Sequence, residues 1–132
     1  MNLPSSHRRS LSVTARVVEE AIDEVEKILL KTDREKMTHH IEDSYDGKEK
    51  KEVLEVMGRL RKANEEMFRS LGLEPRVTQQ SQVVKARTTH LWTVLRDSKS
   101  RSMKRYGILP PETATEVDRH IDNLLGILKQ LP

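Results

Sequence analysis

Nine Lys and Arg residues lie between positions 67 and 106 against two acids, whereas positions 17–66 hold fifteen acids against ten bases. Most of the basic stretch reads as one helix carrying the single tryptophan, Trp92. Lys85, Arg96, Lys99, Arg101, Lys104 and Arg105 gather there with Trp92 and Met103. At about 100° per residue, Trp92 shares its side of the helix with Lys85, Arg96, Lys99 and Met103. Cationic groups beside an indole can anchor an acidic protein surface. They can also hold phosphates while a base stacks on the ring. One aromatic is far short of a stacking platform, and no recognition-helix, zinc-finger or RNA-recognition motif is present. The expected partner is therefore an acidic protein surface or a second copy of the chain, in a homo-oligomer such as a dimer. Weak, sequence-independent nucleic-acid binding through the same helix is the alternative. A solvated helix face whose Trp packs on a neighbour explains the same residues without any partner.

Two other groups of residues could do chemistry. Arg34, His39, His40, Glu42, Asp43, Tyr45 and Asp46 crowd a polar stretch, where two histidines and nearby carboxylates could ligate a divalent ion. Adjacent residues on a helix point about 100° apart, so His39 and His40 cannot easily share one ion there. Arg34 and His39 have a spacing similar to the Arg-x4-His of HEPN-type ribonucleases, but a solvated loop accounts for the segment better. The acid density of residues 19–26 (EEAIDEVE) resembles that of all-α nucleotide pyrophosphohydrolases of the MazG type, for which Glu112, Glu116, Asp118 and Asp122 would be the partners. Magnesium shared with substrate phosphates needs acids turned into the bundle. Glu19, Glu20, Asp23 and Glu26 project away from the apolar stripe of their helix, which disfavours that enzyme. Inward Glu-x-x-His pairs of a di-iron bundle are absent, and Glu116 with His120 reads as a surface hydrogen-bonded pair. The reading leans away from an enzyme and implies no cofactor, metal or catalytic residue.

The elements that must position these residues are helical. The chain has 132 residues, 35 % hydrophobic and 34 % charged, with four aromatics, no cysteine and a net charge of +3. Such a balance suits amphipathic helices and one domain. Without cysteine there are no disulfides or thiolate sites, which fits a reducing, cytoplasmic setting. No run approaches the roughly 18–20 apolar residues of a membrane span, so no membrane partner is expected. Residues 1–9 read as a flexible leader before a single domain over 10–132, although the acid-free residues 1–18 are also similar in composition to a transit peptide.

Periodicity predicts four helices. The first runs from about Ser10 or Ser12, either of which can cap it, to about Lys31, with Val13, Val17, Val18, Ala21, Ile22, Val25, Ile28 and Leu29 on its stripe. A short extra helix is expected within 32–47. The second runs from about Gly47 to Leu71, with Asn64 set in its apolar stripe, where an amide can fix register. Gly72 and Pro75 stop it. The third, from about Thr78 to Arg105, grows small and polar toward Ser98 and Ser102. Pro111 and Glu112 open the fourth, which is expected to bury Ala114, Val117, Ile121, Leu124, Leu125, Leu128 and Leu131. Together these predict an all-α, antiparallel up-and-down four-helix bundle with a long third helix.

Overall fold

Pro4 sets the start of the first helix. The computed structural model describes residues 3–30 and 36–132, and in it α1 spans Ser5–Leu29 directly after Pro4. Neither Ser10 nor Ser12 is a cap. Residues 5–9, expected in a flexible leader, are the first turns of α1, and the Arg8 N–H donates to the Pro4 carbonyl at 2.9 Å. Proline has the φ a helix start needs, and Ser and Arg cost a helix little, so the turns extend back to it.

The remaining helices are α2 (Gly47–Ser70), α3 (Gln80–Asp97) and α4 (Pro111–Leu128), with single 3₁₀ turns at Ser100–Ser102 and Lys104–Tyr106. Among the described residues there is no strand, and the chain is all-α with four helices. Residues 36–46 are irregular and form none of the extra helix expected within 32–47; residues 31–35 lie outside the described residues.

Helix α2 has well-marked ends. Asp46 and Glu49 form a capping box: the Glu49 N–H donates to Asp46 Oδ1 at 2.7 Å, and the Asp46 N–H donates to Glu49 Oε1 at 3.2 Å. At the other end the Leu73 N–H reaches the Phe68 carbonyl and the Gly72 N–H reaches the Arg69 carbonyl. This is a Schellman closure with Gly72 at φ +61°, the left-handed position glycine takes without strain.

Helix α3 is not the long helix expected. It ends at Asp97, eight residues before Arg105. Serine explains the break, because its hydroxyl competes with the helical ladder. Ser98 Oγ donates back to the Val94 carbonyl at 2.8 Å, while the Ser100 N–H and hydroxyl both leave the helix for Asp118 on α4, at 2.8 and 2.7 Å.

The chain divides into two compact units, Met1–Arg76 and Val77–Pro132. In the first, α1 packs on α2. Arg61 reaches Asp23 and Glu26, and the later Asn64 reaches the earlier Ala15, so the pair is antiparallel. In the second, α3 packs on α4, again antiparallel: Trp92 meets Lys129, Lys99 meets Asp122 and Ser100 meets Asp118. Few side chains are buried, and Val13, Val17 and Leu124, expected on buried stripes, are 44, 56 and 48 % exposed because each helix packs on one neighbour within its unit. Ile22 is 0 % exposed, and Ala15, Leu73, Leu95 and Leu125 complete the buried set among the described residues.

Candidate interaction surfaces

The end of α3 splits the expected basic surface. Lys85, Trp92 and Arg96 stay on α3, separated by seven and four residues and therefore on one face. Lys85 and Arg96 are exposed; Trp92 is half-buried, with Lys129 Nζ of α4 5.6 Å from its ring centroid. Lys99 follows the helix and is held by Asp122 Oδ1 at 2.8 Å. Arg101 sits in the first 3₁₀ turn, Met103 between the turns, and Lys104 and Arg105 in the second. The Arg105 guanidinium lies over Tyr106, 4.8 Å from the ring centroid. Of the eight residues, three stand on α3 and five follow it in and around the two 3₁₀ turns.

Asp118 organises that turn region. The Ser100 N–H and hydroxyl, aided by the charges of Lys99 and Arg101, hold its carboxyl below the usual aspartate range. Nearby on α4, Arg119 grips both oxygens of Glu116 at 2.6 and 3.2 Å, and His120 Nε2 lies 3.1 Å from Oε1. These contacts, Arg119 first, lower the Glu116 carboxyl, and Glu116 raises the Arg119 guanidinium in turn. The Glu116–His120 pair is thus a surface cluster.

The histidines and acids singled out in the first half of the chain are spread over its surface. His39 and His40 are exposed, and Arg34 lies outside the described residues. Asp43 faces Lys50 at 3.2 Å. Among the described residues no three His, Asp or Glu side chains come close enough together to hold one metal ion. On α1, Glu19, Glu20 and Glu24 are exposed. Asp23 and Glu26 do not point away as expected. They turn to the flank of α2, where both accept from Arg61 and hold its guanidinium above its already high range, Asp23 contributing most. A long arginine can reach acids at the edge of a helix pair that a wheel assigns to solvent.

One surface was missed. Beside the N-terminal half of α1 and the C-terminal end of α2 lies an open groove of about 1110 Å³, within the first unit. Five arginines line it: Arg8, Arg9 and Arg16 from α1, Arg69 from α2 and Arg76 beyond it. Val13, Ala15, Phe68 and Pro75 supply its apolar part, and Glu19, Glu65 and Glu74 its acids. Asn64, also in the lining, donates to the Ala15 carbonyl at 2.9 Å and ties the two helices together there. The acid-free residues 1–18 carried the signal. Placing residues 1–9 outside the helix left Arg8 and Arg9 without a surface to belong to.

No helix among the described residues is long and apolar enough to cross a membrane. No known protein family, curated protein or solved structure matches the chain.

Proposed function

We propose that the chain is a helical protein–protein interaction module that self-associates through the apolar rows its helix pairs leave uncovered. The observation that supports this is an exposed apolar row at helical spacing on every helix. Val13 and Val17 form it on α1, Val56 and Leu60 on α2, Val84, Leu91 and Val94 on α3, and Leu124, Ile127 and Leu131 on and just beyond α4. Single exposed apolar residues are ordinary, but rows at i, i+3, i+4 and i+7 are the pattern a partner helix covers. Each half-exposed Val, Leu or Ile stands to gain about 1 kcal/mol when covered, so a few such residues on each protomer can hold a dimer. In that self-contact the basic residues serve solubility and steering more than adhesion.

Light scattering at low and high salt tests this. The expected result is a mass that is a multiple of 15.3 kDa and does not change with salt, because apolar burial is not screened. A monomer at both salts overturns self-association. A multimer that dissociates with salt overturns the apolar contact in favour of acidic-on-basic pairing.

A further inference from the structure

The arginine-lined groove of the first unit is a second surface, which shares only Val13 with the apolar rows. We infer that it takes an acidic amphipathic helix of a partner protein. Along α1 the lining residues recur from Ser5 to Glu19 at steps of three and four, a stripe about 20 Å long at 1.5 Å per residue. A groove of that length beside a helix pair accepts a helix of about four turns, read through residues at i, i+3, i+4 and i+7.

Charge decides the occupant's sign. Five arginines against three glutamates make the lining net positive, and among the described residues Arg9, Arg69 and Arg76 have no ion-pair partner. Arg16 has only a long, exposed contact to Glu20, 3.9 Å. Every cation in the lining is arginine, whose planar fork binds carboxylates two bonds at a time. The same lining argues against a nucleic acid. Glu19, Glu65 and Glu74 would repel a phosphate backbone, and the half-buried Phe68 offers no open stacking face. Val13, Phe68 and Pro75 instead suit the apolar side of a helix whose carboxylates reach Arg8, Arg9 and Arg76. Interfaces are rich in such arginine–aromatic combinations.

The inference names an outside partner for the interaction-module reading and rests on a face that, Val13 aside, the apolar rows do not use. A chain that stays monomeric overturns self-association and leaves the groove standing; a multimer that ignores the probe overturns the groove alone.

The test is fluorescence anisotropy with three fluorescein-labelled probes in roughly physiological salt, near the ~8 Å Debye length. The first is a peptide of about 14 residues with Glu and Leu patterned for opposite helix faces. The second has the same composition scrambled, and the third is a single-stranded DNA oligonucleotide of similar charge. The patterned peptide should bind at least about tenfold tighter than either of the others, a discrimination of the size charge and shape complementarity give. Arg9→Glu with Arg76→Glu should weaken it about tenfold or more, with the helical signal retained because both side chains are exposed. Arg87→Glu on α3 should leave it unchanged. Equal binding of the scrambled peptide or the DNA overturns the inference. So does full binding by the Arg9→Glu, Arg76→Glu chain, or absence of binding by the patterned peptide.

Discussion

Leu124 and Leu125 are neighbours in α4 with opposite surroundings, 48 % and 9 % exposed, and truncating each separates association from folding. Leu125→Ala removes buried methyls and leaves a cavity, at about 2–5 kcal/mol for a leucine. The lower half of that range applies here, because a two-helix unit with few buried neighbours can collapse around the gap. Leu124 already has half its surface in water, so truncation costs the folded chain only about 1 kcal/mol, half of what full burial is worth. Covering its exposed half in a partner contributes a similar amount, and a symmetric dimer counts the residue twice. Leu124→Ala should therefore weaken dimerisation by about 2 kcal/mol, roughly 30-fold in Kd. Sedimentation equilibrium reads the Kd, and circular-dichroism melts at protein concentrations below that Kd read the stability of the single chain. Leu124→Ala should lower Tm by about 4–8 °C and Leu125→Ala by about twice as much. A Leu124→Ala chain that melts as early as Leu125→Ala while its Kd stays put would refute the reasoning. Leu124 would then be part of the folded core.

Three further outcomes test the packing. Asn64→Ala removes the amide donor to the Ala15 carbonyl and should lower stability by about 1 kcal/mol, seen as a shift in the urea midpoint at constant slope; no shift would deny the amide a role in joining α1 to α2. Gly72→Ala places a side chain at φ +61° with open space around it, so strain alone should cost about 1 kcal/mol, whereas Gly58→Ala inside α2, also open, should stabilise by about 0.5–1 kcal/mol; the two Tm shifts should have opposite signs. Asp118 and Glu116 are held below their ordinary values in the folded chain. The stabilisation they give is present above the unfolded carboxylate range near pH 4 and is lost as pH falls through the lower folded values. Tm should thus drop between about pH 5 and pH 3, and Asp118→Asn should flatten that drop; parallel pH profiles would remove Asp118 from the account.

The helices were legible where apolar spacing and end signals agreed. For α2 the Asp-Gly before it and Gly72-Leu-Glu-Pro75 after it bracket the stripe, and the observed ends fall at Gly47 and Ser70. For α4, Pro111 and Glu112 mark the start equally well. The failures came where side chains compete with the backbone. Ser98 and Ser100 divert hydrogen bonds from the helical ladder, and the direction of Ser100 depends on Asp118, eighteen residues away and across a turn. Local periodicity carries no information about such a bond. At the start of α1 the reverse held: serines that could have capped a helix did not, because Pro4 lay further upstream and nothing between them opposed helix.

Both boundary shifts bear on function more than on fold class. A side chain's direction turns about 100° with each helical residue, so moving an end reassigns charges to different surfaces while the count of helices stays at four. Ending α3 at Asp97 takes Lys99, Arg101, Lys104 and Arg105 out of the helix that carries Trp92, and Lys99 pairs with Asp122. Beginning α1 at Ser5 puts Arg8 and Arg9 in line with Arg16, beside Arg69 and Arg76. The residues of the expected basic face are thereby divided between α3 and the turns after it, and five arginines from either side of the acidic stretch 17–66 line one groove. The charge split along the chain is thus a poor guide to which arginines stand together, because the helix ends, rather than the composition, decide that.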